Sequence, residues 1–394
     1  MATTLSPKSS DHHFSISNII SKFRSSKLST RKKVPTEPQP ERLQDTRAPL
    51  IPSPLPLILP EHQQTLSTLG WTTLTFPDSP LGTQSQSPET LPAPGPHPLQ
   101  AAYRDLFIAS QAFFAQPATQ KAEWAHKLGT EEGWSHVPGE KEFITLRTLA
   151  YCPSVLRVPA KRYWDLIGTH CSSTLGRMST ALGLPCGEDE GLRRFVRSCA
   201  SMPEGEEGKT ATMLRLFRYE GWEAKVVAEP HADLGLLSVV VGDVPGLEVW
   251  DGAAWFDVEK EVERAGKSGA TLLVGRQAER FSNGRFKAGG HRVVSYGAAS
   301  GFQPTLIDAE VGEREKRYRY SIVFVLRAHE PVIIRSSELE TQVTGKWEVP
   351  MDGVTAGEFY ESVRKQHFNI NIDVGEREKQ RRKLDAMKKG GGSG

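Results

Sequence analysis

The feature that most restricts this chain is a succession of short β-rich runs in its second half. They are Met213–Tyr219, Leu236–Val241, Leu247–Trp250, Thr271–Val274, Arg292–Tyr296 and Tyr320–Leu326. Runs of β-branched and aromatic residues broken by turn signals read as strands. Asp251-Gly252 and Asn283-Gly284 are dipeptides that tolerate positive φ and suit tight hairpins. Several short strands joined this way predict a sandwich or barrel rather than a parallel sheet.

The first half has a different period. Residues 1–46 are rich in Ser, Thr, Lys and Pro and read as a disordered basic tail. Residues 47–210 read as a mostly helical N-terminal region. Within it, Trp71-Thr72-Thr73-Leu74-Thr75-Phe76 reads as a strand. Residues 77–98, rich in Pro, Ser and Gln, read as a long loop. Tyr103, Leu106, Phe107, Ser110, Phe113 and Phe114 follow helical spacing, a core stripe closed by Pro117. A second helix is expected over about 160–184, ending at Gly183 and Pro185. Residues 211–335 form the β core, and 336–394 a C-terminal extension. Its basic run at 376–389 reads as a solvated helix face, and its Gly-rich end as a flexible tail. No internal repeat is present.

Composition excludes several classes. Of the 394 residues, 38% are hydrophobic and 24% charged, as in a soluble globular protein. No stretch reaches the ~18 apolar residues of a membrane span, and the N-terminus has no continuous apolar core of a secretory signal. Cys152, Cys171, Cys186 and Cys199 make no Cys-x-x-Cys pair, so a reduced, intracellular protein is expected, cytoplasmic by default. The net charge of +2 conceals basic ends. Residues 1–34 carry seven Lys/Arg against one Asp, and 376–389 seven against three acids, leaving the body acidic. That pattern argues against a nucleic-acid-binding core. The Ser-rich basic N-terminus with Ile16, Ile19 and Ile20, and Arg31-Lys32-Lys33, leave a mitochondrial transit peptide or a nuclear signal as alternatives to a plain tail.

The chemistry gathers at three places. In Pro230-His231-Ala232-Asp233-Leu234-Gly235, a His-x-Asp at the entrance to a strand puts an imidazole and a carboxylate on one side. Alone, such a triplet occurs by chance. His291, in Gly289-Gly290-His291-Arg292-Val293-Val294, opens another β-rich run. Two histidines and one carboxylate form the facial triad of non-haem Fe(II), leaving the opposite coordination positions open. In Arg319-Tyr320-Ser321, an Arg and a Ser two apart face one way on a strand. A guanidinium fork and a hydroxyl suit the far end of a dicarboxylate. The competing reading is an outward Arg in the charged segment 313–319. No His-Glu-x-x-His is present, which argues against a zinc hydrolase.

These features together resemble the iron- and 2-oxoglutarate-dependent dioxygenase superfamily, in its isopenicillin N synthase-like branch. The resemblance covers roughly residues 50–335. One block is His231 to Val241 followed by Pro245-Gly246-Leu247-Glu248-Val249, Gly252 and Trp255. A second is Phe281 to Lys287 with His291-Arg292-Val293-Val294, and a third is Arg319-Tyr320-Ser321-Ile322 with Phe324. Phe113-Phe114, Pro117, Lys121, Gly133-Trp134 and Gly139-Glu140 are similar to the family's N-terminal region. The resemblance implies a mainly β fold with flanking helices, built on a double-stranded β-helix (jelly-roll) core. It implies a metal site of His231, Asp233 and His291 holding Fe(II), 2-oxoglutarate as cosubstrate and O2 as oxidant. Arg319 and Ser321 would anchor the cosubstrate's C5 carboxylate. A small-molecule metabolite would be hydroxylated or otherwise oxidised with release of succinate and CO2, by a monomer with no nucleic-acid or membrane partner.

Three departures qualify it. Residues 297–317 look like an inserted loop before Arg319, with Arg317 as a competitor that lacks the Ser two positions on. On the Met213–Glu220 strand, Arg218 stands where a cosubstrate-binding tyrosine is usual and Tyr219 follows it, so either can contact 2-oxoglutarate. Glu220 replaces the usual Pro. The substrate is expected over the iron, lined by 134–143 and by 297–317. The alternatives are an isopenicillin N synthase-like oxidase that uses no 2-oxoglutarate and a non-catalytic jelly-roll binding protein.

Overall fold

Along Met213–Glu220 and Tyr318–Leu326 successive side chains face opposite sides of the sheet. The computed structural model describes residues 45–76, 97–127, 130–221, 223–265, 269–297, 318–366, 375–380 and 382. The readings of 1–44, 77–96, 298–317 and 390–394 lie outside these residues. The described strands are β1 (Trp71–Thr75), β2 (Gly133–Val137), β3 (Lys141–Leu146), β4 (Met213–Glu220), β5 (Ala224–His231), β6 (Leu237–Gly242), β7 (Leu247–Trp250), β8 (Trp255–Asp257), β9 (Gly269–Val274), β10 (His291–Tyr296) and β11 (Tyr318–Leu326). They form a sheet in the order β1-β9-β6-β11-β4-β3-β2 and a smaller one in the order β5-β10-β7-β8. The paired strands run antiparallel. This is the jelly-roll core expected from the sequence.

The helices are α1 (Thr65–Leu69), α2 (Pro98–Phe114), α3 (Ala118–Ala122), α4 (Ser154–Ala181), α5 (Val258–Arg264), α6 (Arg276–Phe281) and α7 (Ala356–Arg364). On β4, Leu214 and Leu216 join the hydrophobic core with the helices, as do Ile322, Phe324 and Leu326 on β11. Trp164 of α4 meets Phe324 edge-on at 5.4 Å. The intervening residues Met213, Arg215, Phe217 and Tyr219, with Ser321, Val323 and Val325, face a cavity. The period of two therefore separates a packing face from a ligand face. Among the described residues no helix is long and apolar enough to cross a membrane.

The structure departs from the sequence reading in five places. The N-terminal region is not helical throughout, because β2 and β3 extend the large sheet next to β4. Strand β5 gives no clear sequence signal because it carries Lys225, Glu229 and Pro230. It is an edge strand, where proline and charge are tolerated. Helix α4 starts six residues early, with Pro159 inside it, in the second turn after its Pro153 N-cap. Asn283-Gly284 closes α6 rather than a hairpin. Both residues have positive φ, and the Gly284 amide donates to the Glu279 carbonyl in the manner of a helix C-terminal motif. Finally, the C-terminal basic run is not simply a solvated face. Arg377 is buried and pairs with Glu140 at 2.5 Å and Glu229 at 3.5 Å.

One close approach ties the turn before β1 to the segment that leads into β10. Gly70 has φ +77°, and a Cβ there would lie 2.4 Å from the Lys287 carbonyl and 2.5 Å from the Gly289 amide. The Gly289 carbonyl in turn accepts from His291. Gly70→Ala is expected to cost about 2 kcal/mol from the left-handed backbone alone, more with the backbone clash. A urea midpoint unchanged from the wild type would show that this contact is not a constraint.

Candidate metal centre

His231 ends β5 and His291 begins β10, and the two are register partners on neighbouring strands. Their ring centroids are 4.2 Å apart. Asp233 follows β5 by two residues and its carbonyl accepts from the Arg276 amide, which opens α6. The His-x-Asp therefore sits at the exit of one strand, not at the entrance to the next as expected, and the carboxylate reaches the imidazoles from a loop. One donor atom from each of the three residues lies within 4.8 Å of the others.

Backbone contacts fix the imidazole tautomers. His231 Nδ1 lies 2.7 Å from the Glu229 carbonyl and His291 Nδ1 lies 3.0 Å from that of Gly289. A carbonyl can only accept, so Nδ1 carries a proton, and in the neutral ring the lone pair is left on Nε2. Nε2 of His231 is 3.7 Å from Asp233 Oδ1, and Nε2 of His291 is 3.9 Å from Oδ2. Both separations are too long for a hydrogen bond. They fall within the ~4.2 Å that two atoms can span when each lies ~2.1 Å from one cation. Asp233 Oδ2 is buried with no hydrogen-bond partner. Burial, reinforced by His291, pushes His231 down to about 4, so it is neutral and able to ligate at neutral pH. Burial would raise Asp233, but the two histidines outweigh it and hold the carboxyl below its usual value. The donor set fits a divalent transition metal such as Fe(II).

The cavity beside these residues has a volume of about 1010 Å³, and Ser321 and Tyr219 face it. Arg319 is register partner to Tyr219, and its guanidinium lies 5.7 Å from the Tyr219 ring centre. Arg319 Nε donates to the Val244 carbonyl at 3.0 Å. Its Nη2 donates to both oxygens of Glu259, at 2.9 and 2.7 Å. Gly242 and Gly246 leave room for this pair, since a Cβ at either would lie within 3 Å of the Arg319 side chain. Arg319 Nη1 and Ser321 Oγ are buried without partners, two donors suited to an anion. Burial raises the Tyr219 phenol to about 12, keeping it a donor. Arg218 points to the opposite face: it pairs with Glu142, and its Nη1 donates to the Phe114 carbonyl. Of the two residues expected as alternatives for contacting the cosubstrate, Arg218 faces away from the cavity and Tyr219 lines it.

Four residues of this region escape the sequence reading. Arg215 is available from the same alternation, four residues before Tyr219. Lys141, Glu131 and Arg327 give no local signal, because tertiary contacts alone bring them here. Lys141, on β3, is fully buried, and its Nζ donates to the Val227 carbonyl of β5 at 3.4 Å.

No family model matches the chain. It is 32% identical over 111 residues to a probable flavonol synthase 6 from Arabidopsis thaliana, a match covering 27% of this chain and about a third (36%) of that protein. It is 25% identical over 263 residues to the 2-oxoglutarate-dependent dioxygenase ecdK from Aspergillus rugulosus, covering 59% of this chain and 76% of the relative. Among solved structures, a Caulobacter crescentus protein assigned to the 2OG-Fe(II) oxygenase family superposes with a TM-score of 0.53 at 19% identity, covering 78% of this chain and 93% of that one. A full-length Neurospora crassa protein, solved in complex with alpha-KG and 5-formyluracil, superposes with a TM-score of 0.51 at 18% identity, covering 76% and 86%. The chain thus has the fold of the 2-oxoglutarate/Fe(II) oxygenase superfamily, and the resemblance read from its sequence is borne out.

Burial pushes the Lys141 ammonium down to about 7, against Glu140 and with help from Arg377 and Arg215. The unfolded chain then binds the extra proton between about 7 and ~10.4, so stability rises with pH across that window and the burial cost is complete below it. Lys141→Met is expected to stabilise the protein more at pH 6 than at pH 9, by on the order of 2 kcal/mol. Equal gains at both pH values in urea titrations would contradict this.

Proposed function

We propose that the protein is an Fe(II)- and 2-oxoglutarate-dependent oxygenase that oxidises a small-molecule metabolite. The observation that carries the reading is the convergence of His231, Asp233 and His291 beside a cavity that Ser321 and Tyr219 also line. In it, His231 and His291 hold Fe(II) through their unprotonated Nε2 atoms, and Asp233 offsets part of its charge. Arg319 Nη1 and Ser321 Oγ, both without protein partners, take the C5 carboxylate of 2-oxoglutarate, with the Tyr219 hydroxyl as a third donor. Glu259 keeps the Arg319 guanidinium in place through Nη2. Iron held there would supply the oxidising chemistry, in which O2 and 2-oxoglutarate give succinate, CO2 and the oxidised substrate. Phe143, Phe217, Leu247 and Val323 give the cavity apolar walls that exclude water, which sharpens every charge interaction inside it.

The same Glu259 contact favours a second reading, the oxidase without 2-oxoglutarate, because it already gives Arg319 a carboxylate partner. Product analysis separates the two. The oxygenase reading expects O2-dependent conversion of 2-oxoglutarate to succinate; oxidation of a substrate with no succinate formed selects the oxidase.

Removing the anchor gives a finer test. Arg319→Ala combined with Glu259→Gln, so that no buried carboxylate is orphaned, is expected to raise the 2-oxoglutarate KM about thirtyfold. That corresponds to about 2 kcal/mol for a charge-assisted bond. An unchanged KM would mean that the cosubstrate binds elsewhere.

A further inference from the structure

The metal ligands and the cosubstrate anchor leave one part of the cavity wall unexplained. Arg215 of β4 and Arg327, just beyond β11, both face the cavity together with Glu131. Arg327 Nη1 donates to the Ala211 carbonyl at 3.1 Å and both terminal nitrogens bond Glu131, Nη2 at 3.2 Å. Tyr360 of α7 covers the guanidinium at 4.6 Å. Arg215 Nε donates to Thr145 Oγ1 at 2.7 Å, and its Nη2 lies 3.8 Å from Glu131 Oε1. Two guanidiniums, with side chains only 13% and 6% exposed, thus share one carboxylate. Arg327 Nε is buried without an acceptor. Asp233 also acts on both arginines, but its charge is committed to the metal centre.

An excess cation in a dry site costs free energy until an anion joins it. That anion is not the far carboxylate of 2-oxoglutarate. Arg319 and Arg327 are eight residues apart along β11, or roughly 26 Å at ~3.3 Å per residue, several times the length of a five-carbon dicarboxylate. The surroundings of the second cationic centre are aromatic. The Arg215 guanidinium lies 5.4 Å from the Phe143 ring centre and 6.0 Å from that of Phe217, and the two rings pack at 5.4 Å.

We propose that the primary substrate is an organic carboxylate with an apolar, ring-sized body, its carboxylate held by Arg215 and Arg327 and its body against Phe143 and Phe217. This rests on the oxygenase reading for the word substrate; the anion site itself stands on the arginine geometry. Guanidinium edges match a planar carboxylate bidentately, and Glu131 already shows that the pair accepts one.

The test is calorimetric titration of the full chain, with and without Mn(II) and 2-oxoglutarate. The probes are three acid–amide pairs: benzoate and benzamide, cinnamate and cinnamamide, 2-naphthoate and 2-naphthamide. At least one acid is expected to bind at least tenfold tighter than its amide, and Arg215→Gln to remove that preference. Should Arg327→Gln fail to fold, because it strands Glu131, the Arg327→Gln/Glu131→Gln double variant tests the second guanidinium with no carboxylate left unpaired. The site is overturned if no acid binds, if amides bind as tightly as acids, or if the preference survives Arg215→Gln. The separate 2-oxoglutarate titration reports on the oxygenase reading. Acid preference without 2-oxoglutarate binding removes that reading and keeps the anion site, whereas normal 2-oxoglutarate binding with no acid preference removes the anion site alone.

Discussion

Three lone pairs that converge at the wall of a cavity make a donor set that one cation would satisfy. His231 and His291 turn their Nε2 atoms toward Asp233 because their Nδ1 protons are committed to the Glu229 and Gly289 carbonyls. Asp233 Oδ2 has no hydrogen-bond partner. One divalent ion at that point would satisfy all three donors at once. Two guanidiniums stand well apart along β11, Arg319 near its start and Arg327, which lines the cavity, just beyond its end.

The jelly roll makes this economical. Strands β4 and β11 of the large sheet each give one face to the hydrophobic core and one to the cavity. Leu214, Leu216, Ile322 and Phe324 join the hydrophobic core, Phe324 against Trp164 of α4, while Arg215, Tyr219 and Ser321 face the cavity. The smaller sheet contributes the two histidines from adjacent strands, so their spacing is set by the ladder between β5 and β10 rather than by loop conformation. Asp233 alone depends on a loop, and the Arg276 amide at the start of α6 anchors its carbonyl.

What is legible in the sequence follows from these physics. The strands buried on both faces, such as Leu237–Gly242, announce themselves by continuous β-branched content. Edge strand β5 does not, because an edge tolerates Pro230 and charge. His231, Asp233 and His291 are readable because their residue types recur in a recognisable order, and Arg319 with Ser321 because a spacing of two means one face. The odd offset of Arg218 from Arg215 and Tyr219 turns it to the other face of the sheet, onto the buried Glu142 and the Phe114 carbonyl. Arg327, Glu131 and Lys141 come from separate elements, and nothing local marks a buried charge whose partner lies 196 residues away. Arg377 looks like one cation in a soluble run, yet Glu140 and Glu229 bury it.

The central claim is that one divalent ion binds where the three side chains converge. Anaerobic equilibrium dialysis of the full chain against Fe(II) measures it directly. The account predicts one tightly bound ion per chain, lost when either Asp233→Ala or His291→Ala is introduced into protein whose circular dichroism is unchanged. Wild-type protein that retains no iron, or variants that retain it with the same affinity, would contradict it.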